Sequence, residues 1–163
     1  MRIKIINGAN LNMLGIRSQS IYGDKTYKDL ENKINQYCLI NKIDYELFSS
    51  NFEGEIIEEI HKTYINKYDA LIINPGAFTH YSYAIRDALE ILDCLKIEVH
   101  ISNIKAREPF RKINVISDVC DYSIVGKGLS GYINALDLVV NLDKWRIFLY
   151  NIFVIGGNRY DYM

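Results

Sequence analysis

Five short runs rich in isoleucine and valine alternate along the chain with segments of helical periodicity. This alternation is typical of repeated βαβ units, which form a parallel sheet covered by helices on both faces. Strands are predicted at residues 2–7, 43–48, 69–74, 96–101 and 121–125. Helices are predicted to begin near residues 26, 53 and 82, and a last helix carries an apolar face from Leu129 to Val140. The predicted fold is therefore an α/β sandwich of three layers around a five-stranded parallel sheet.

Strand three is predicted to stop at Pro75, because proline has no N–H to donate to a strand ladder. The chain beyond the last predicted helix is harder to interpret. One domain is expected over residues 1–140, with a C-terminal extension at residues 141–163. Residues 145–155 look like a further strand, and the extension is interpreted as an added edge strand, an interface element or a read-through tail.

Size and charge restrict the kinds of partner. The chain has 163 residues, which suits a single domain with a core of its own. Its 19 basic and 20 acidic side chains leave a net charge of -1, so neither nucleic-acid binding nor attachment to a membrane is predicted. No run of about 18 uncharged apolar residues occurs that could cross a membrane. The expected partner is a small molecule.

Cysteine usage indicates a reducing compartment. The three cysteines, Cys38, Cys94 and Cys120, are odd in number, widely spaced and outside any C-x-x-C pair. They predict neither a disulfide framework nor a zinc site, and no other metal site is expected. The N-terminal apolar run is too short for a signal peptide, so we expect a cytoplasmic protein.

Ligands of open parallel sheets bind outside the carboxyl ends of the strands. The longest loop there, residues 7–23, contains Arg17 and Tyr22. A phenol must lose about 3 pKa units, roughly 4 kcal/mol, to ionise at neutral pH. One guanidinium at about 4 Å supplies a similar amount at an effective dielectric near 20. Arg17 could thus make Tyr22 a base strong enough for a carbon acid beside a carbonyl, although most of the thirteen tyrosines must be packing residues.

A second candidate follows strand four. Side chains alternate along a strand, so Glu98 and His100 are expected on one face. A carboxylate beside an imidazole fixes its tautomer and favours its protonated form, as a general acid requires. The alternative is a structural pair at the end of a strand.

A third candidate lies where strand three enters its helix. The segment offers the amide of Asn74, the backbone at Gly76 and the imidazole of His80, which together suit an oxygen-rich or anionic ligand. The alternative is a turn in which Thr79 or Ser82 caps the helix and His80 is solvated.

The segment Gly126–Gly131 matches G-x-G-x-x-G and is predicted to join a strand to a helix, as a dinucleotide-binding loop does. It follows the last strand, however, and no acidic ribose ligand follows the apolar run after it. Close packing of the helix on the strand is the other interpretation. A dinucleotide- or flavin-binding module is therefore the alternative function, and a non-catalytic assembly protein of the same fold is another.

Four blocks of sequence, in order, closely resemble the type II 3-dehydroquinate dehydratases, which are cofactor-free enzymes of the shikimate pathway. The blocks are residues 6–12 continuing to Tyr22-Gly23, residues 50–54, residues 73–80 with 86–88, and residues 98–103 with 106–108 and Arg111. The match covers about residues 3–140. The resemblance implies a flavodoxin-like fold, no cofactor, and dehydration of 3-dehydroquinate on the route to chorismate and the aromatic amino acids.

The resemblance also implies a role for each matching residue. Tyr22 would be the base, kept ionised chiefly by Arg17, and Asn10 would stabilise the enolate through a water. His100, oriented by Glu98, would protonate the departing hydroxyl. The substrate-binding set and its supporting residues would be Asn74 and the backbone N–H groups of Ile101 and Ser102 for the carboxylate, His80 and Arg111 for the ring hydroxyls, with Gly76 and Arg107 in support.

In this family, trimers assemble into a dodecamer and an aspartate of a neighbouring subunit completes each site. The matching residue here is Asp87. The resemblance therefore implies a homo-oligomer whose monomer is poorly active. Ser18 and Gln19 stand where the family usually has Glu-Pro, which leaves the closure of the loop over the site open.

Overall fold

The computed structural model describes residues 1–16 and 24–150. Within them, five parallel strands form one sheet in the order β2-β1-β3-β4-β5. The strands are β1 (Arg2–Ala9), β2 (Asp44–Ser49), β3 (Ala70–Gly76), β4 (Leu95–His100) and β5 (Tyr122–Val125). The α-helices are α1 (Tyr27–Asn41), α2 (Glu53–Ile65), α3 (Tyr83–Glu90) and α4 (Ser130–Tyr150). This strand order is that of flavodoxin-like folds, so the predicted fold class is confirmed.

Two hydrophobic cores lie on opposite faces of the sheet. One packs Ile3, Ile5 and Val99 against α1 and α4, and the other packs Ile6 and Ile73 against α2 and α3. Side chains of a strand alternate between faces, so β1 and β3 at the centre of the sheet supply both cores, and residues 70–73 of β3 form a continuous apolar run. Helix α1 ends before Lys42, which adopts the left-handed backbone conformation common at helix C-termini.

The prediction for the end of β3 is wrong by two residues. The strand runs through Pro75 to Gly76, which pairs with Ala9. Proline is tolerated because the ladder with β1 skips from Asn74 to Gly76, and pairing with β4 has already ended at Ile73. Ser82 caps α3 by accepting the N–H of Ile85, as one interpretation of this segment expected.

The prediction of a strand from Trp145 is also wrong over the described residues. Residues up to Tyr150 continue α4, because no glycine or proline lies between Gly131 and Tyr150 to end the helix. Residues 151–155 lie outside the described residues. None of the helices that the structure describes is long and apolar enough to cross a membrane.

A buried lysine of β1 forms ion pairs with β2 and α2, away from the carboxyl ends of the strands. Lys4 is almost fully buried, and its Nζ contacts the carboxylate of Glu59 and lies 2.7 Å from Glu46. Glu59 also accepts from Lys62. Burial raises the pKa of Glu59, but hydrogen bonds from Lys4 and Lys62 outweigh it and hold that pKa below its ordinary value. The Glu59 carboxylate therefore remains ionised inside the domain.

We predict that Lys4→Met lowers the free energy of unfolding by about 3 kcal/mol, because it leaves the Glu59 carboxylate buried without its main cation. Lys4→Met combined with Glu59→Leu should recover most of that loss. Urea unfolding followed by circular dichroism measures both, with Lys62→Met as the matched control since Lys62 is exposed. Equal losses in Lys4→Met and Lys62→Met would contradict this account.

Candidate active site

A polar cavity opens at the carboxyl edge of the sheet. Its wall comes from the ends of β1, β3 and β4 and from the loops that follow them. Nine of the predicted site residues line it, namely Asn10, Asn74, Gly76, His80, His100, Ile101, Ser102, Arg107 and Arg111. The structure thus brings together residues as far apart in the chain as Asn10 and Arg111.

Asn74 is held in a fixed orientation at the end of β3. Its Oδ1 accepts the backbone N–H of Gly76 at 3.2 Å, and its Nδ2 donates to the hydroxyl of Tyr132 at 3.0 Å. Gly76 has a φ of +66°, and a Cβ there would lie 2.5 Å from the carbonyl oxygen of Ala9. Only glycine fits this position, so Gly76 sets the turn that closes on Asn74.

Glu98 and His100 face each other on β4, as their spacing predicted. The Nε2 of His100 lies 3.1 Å from Glu98 Oε2, and both side chains are buried. A carboxylate oxygen only accepts, so Nε2 carries the hydrogen. The Nδ1 of His100, the other ring nitrogen, is then the atom that can exchange a proton with a ligand.

Two further residues hold Glu98. The Nδ2 of Asn114 donates to both carboxylate oxygens, at 3.1 and 2.9 Å. Burial raises the pKa of Glu98, but hydrogen bonds from His100, Ser123 and Asn114 outweigh it and keep that pKa below its ordinary value. Glu98 therefore stays ionised behind His100. A carboxylate beside an imidazole favours the protonated form of that ring.

His80 is buried, so the interpretation of a solvated histidine is wrong. Its Nδ1 lies 2.7 Å from the carbonyl oxygen of Ile113, which can only accept. Burial lowers the pKa of His80, and the positive charges of Arg111, His100 and Arg107 lower it further. A neutral ring with its hydrogen on Nδ1 leaves Nε2 as an acceptor. The two histidines of the cavity thus differ in their hydrogen-bond partners and in the ring nitrogen they leave for a ligand.

The rim is cationic. Glu108 lies between two guanidinium groups, with Arg107 Nε at 3.3 Å and Arg111 Nε at 3.1 Å from its carboxylate. The contact with Arg111 lacks the alignment of a hydrogen bond, and the Arg111 guanidinium also lies over the Phe110 ring at 4.8 Å. Two arginines share one carboxylate here, which leaves a net positive charge that favours an anionic ligand.

Asn10 begins the loop after β1 in the left-handed conformation, with its backbone N–H donating to Asn51 Oδ1 at 2.7 Å. Arg17 and Tyr22 follow it in the sequence and lie outside the described residues. Asp87 is exposed on α3 and does not line the cavity.

The glycine loop after β5 forms hydrogen bonds to the end of β4 and the segment that follows it. The N–H groups of Gly126 and Gly128 donate to the carbonyls of His100 and Ile101. A Cβ on Gly131 would lie 3.2 Å from Val99, so the glycine permits close packing of α4 on β4, as one interpretation expected. These N–H groups are already used, and they fix the segment that carries His100.

Sequence reasoning did not single out Asn7, Tyr132 or Asn114. Each is a polar residue inside an apolar stretch of sequence. That pattern could have marked these residues as buried groups that need hydrogen-bond partners. Among the described residues, no group of three or more histidine, cysteine or acidic side chains is placed to hold a metal ion.

The fold and the cavity define a flavodoxin-like α/β protein with a polar cavity, lined by two histidines and two arginines, at the carboxyl edge of its sheet. Residues 1–140 match the family model "Dehydroquinase class II", and the chain belongs to that family.

Similar proteins agree with this assignment. A relative from Thermotoga neapolitana named "3-dehydroquinate dehydratase" is 53% identical, over 85% of this chain and 94% of that protein. The crystal structure of the type II dehydroquinase from Butyrivibrio crossotus is 54% identical with a TM-score of 0.84, covering 85% of this chain and 97% of the other. The Propionibacterium acnes enzyme of the same type is 40% identical with a TM-score of 0.82, covering 85% and 96%.

We predict that Glu98→Gln lowers the free energy of unfolding by about 2 kcal/mol at pH 7, because His100 and Asn114 lose a charged acceptor. The folded-state pKa of Glu98 lies below its ordinary value of 4.5. The stability that this charge contributes is therefore present above pH 4.5 and is lost as the pH falls through the lowered pKa. Urea unfolding of both proteins between pH 7 and pH 3 should show the difference narrowing only below about pH 4.5. A difference that stays constant over this range would contradict the charged state of Glu98.

Proposed function

We propose that this protein removes water from 3-dehydroquinate to form 3-dehydroshikimate, as a hydro-lyase that needs no cofactor. The observation that carries the proposal is the buried Glu98–His100 pair facing the same cavity as Asn74 and the cationic rim. Such a cavity suits a carboxylate-bearing, polyhydroxylated ring. The relatives named 3-dehydroquinate dehydratase support the same substrate.

The first step of the proposed reaction is removal of a proton beside the ketone. Tyr22 as a tyrosinate would accept that proton, and the positive charge of Arg17 would keep the phenol ionised at neutral pH. The electron pair of the broken C–H bond moves onto the ketone oxygen and forms an enolate. Asn10, which lines the cavity, would stabilise the enolate oxygen through a water.

The second step expels the ring hydroxyl on the opposite face, an anti elimination. The enolate collapses back to the ketone, the new double bond forms, and the C–O bond breaks. His100 would give the proton from Nδ1 to the departing oxygen, which leaves as water. Glu98 stabilises the charged ring before this transfer, so the acid is ready when the enolate forms.

Binding groups are proposed from the same cavity. Asn74 and the backbone N–H groups of Ile101 and Ser102 would hold the substrate carboxylate. The Nε2 acceptor of His80 and the guanidinium of Arg111 would bind the other ring hydroxyls. Arg107 would add positive charge at the rim, and Gly76 holds Asn74 in place.

We predict that Tyr22→Phe and His100→Ala each lower kcat by about 100-fold or more, because each removes one of the two proton-transfer groups. The assay follows the ultraviolet absorbance of the conjugated product after addition of 3-dehydroquinate. Tyr64→Phe is the matched control, since Tyr64 is exposed on α2 and does not line the cavity. Wild-type turnover in Tyr22→Phe would overturn the base, and absence of turnover in the wild-type protein would overturn the substrate.

We also propose a homo-oligomer built from trimers, up to a dodecamer, in which Asp87 completes the site of a neighbouring subunit. Its exposed position on α3, outside the cavity of its own chain, suits this role. Activity per subunit should then fall when dilution dissociates the assembly.

Mixing two inactive variants tests the shared site. Tyr22→Phe and Asp87→Ala subunits that exchange at random should regain about a quarter of the wild-type activity, because about a quarter of the sites combine two intact contributions. Light scattering confirms that both variants assemble. A mixture as inactive as its parts would contradict a site shared between subunits.

A further inference from the structure

A chain of buried hydrogen bonds runs behind Asn74, on the side away from the cavity. The hydroxyl of Tyr132 lies 3.0 Å from Asn74 Nδ2 and 2.6 Å from Asn7 Oδ1. Asn7 Nδ2 in turn lies 3.4 Å from the hydroxyl of Tyr27. Tyr132 and Asn7 are completely buried, so no solvent competes for these contacts.

One backbone group fixes the direction of every bond in this chain. The N–H of Gly76 can only donate, so the Asn74 atom beside it must be the oxygen. The other atom of that amide is then Nδ2, which donates to the hydroxyl of Tyr132. Tyr132 has accepted one hydrogen and must give its own single hydrogen to Asn7 Oδ1.

This polarity decides what Asn74 offers a ligand. Its Nδ2 carries two hydrogens, and Tyr132 takes one, so the second remains for a ligand in the cavity. A donor suits a carboxylate, whereas a flipped amide would turn its oxygen toward the ligand and repel it. Burial raises the pKa of Tyr132 far above its ordinary value, so the phenol keeps the hydrogen that this arrangement needs.

We propose that Tyr132 is a positioning residue for substrate binding, whose hydroxyl holds the Asn74 amide with an N–H directed at the substrate carboxylate. The inference rests on the proposed function, since it takes the ligand of Asn74 to be the carboxylate of 3-dehydroquinate. Tyr132 does not line the cavity, and it acts only through Asn74.

The test is steady-state kinetics of Tyr132→Phe with 3-dehydroquinate. Loss of the hydroxyl removes one of the two contacts that hold the Asn74 amide and leaves only the Gly76 N–H. The amide is then less well oriented, so KM should rise about 10-fold or more, as for a lost hydrogen bond to a charged group. The proton-transfer groups lie elsewhere, so kcat should change less than about 3-fold. The matched control is Tyr27→Phe. Tyr27 is the residue of the hydrogen-bond series most distant from Asn74, and its 3.4 Å bond to Asn7 is the longest in the series. The KM of this variant should stay within about 3-fold of the wild-type value.

A double variant separates positioning from general destabilisation. In an Asn74→Ala background there is no amide to orient, so adding Tyr132→Phe should leave KM unchanged. A residue that only supports packing would lower the amount of folded enzyme but not produce this non-additive KM. If Tyr132→Phe does not fold, Asn7→Ala serves instead. It leaves the phenol hydrogen free to turn toward Asn74, and it should raise KM to a similar extent.

The outcomes are distinct. An unchanged KM in the folded Tyr132→Phe enzyme overturns the inference. The proposed function is unaffected by that result as long as the wild-type protein turns over 3-dehydroquinate. Additive KM effects of Tyr132→Phe and Asn74→Ala also overturn it. Absence of turnover in the wild type overturns the proposed function and this inference with it.

Discussion

The parallel register of β1, β3 and β4 is the constraint on which the rest of the structure depends. Asn7 lies beside Asn74, and Ile73 lies beside Glu98, so three strands end at nearly the same level. Each strand carries buried polar side chains at that level, namely Asn7 on β1, Asn74 on β3, and Glu98 with His100 on β4. The polar groups are buried, and a buried polar group must find a partner. Asn7 and Asn74 are linked through the hydroxyl of Tyr132, and Glu98 bonds to His100. The edge of the hydrophobic core is thereby a hydrogen-bonded site.

His80 and His100 look equivalent in sequence, but their surroundings suit them to different roles. His100 is backed by the ionised carboxylate of Glu98, whereas His80 is backed by a carbonyl and faces arginines. The first is suited to give a proton, and the second is suited to accept a hydrogen bond. Pairs of titratable groups in opposed environments are a common way for one fold to supply acid and base functions at one pH.

The sequence predicted the architecture well because short apolar runs mark the central strands and apolar stripes mark the helices between them. The facing of Glu98 and His100 followed from strand periodicity alone. Pro75 and the extent of α4 were misjudged, since both depend on which neighbours a strand or helix has in three dimensions. Tyr132 and Asn114 were missed for the same reason. Their roles come from partners 58 and 16 positions away, and no local pattern records such a pair.

The central claim is that one cavity at the carboxyl edge of the sheet binds and dehydrates 3-dehydroquinate. A crystal structure of the protein with a non-reactive analogue of that substrate tests it most directly. We predict that the carboxylate contacts Asn74 and the backbone at Ile101 and Ser102, with ring hydroxyls at His80 and Arg111. An analogue bound instead at the loop of Gly126–Gly131, or with its carboxylate turned away from Asn74, would contradict the account.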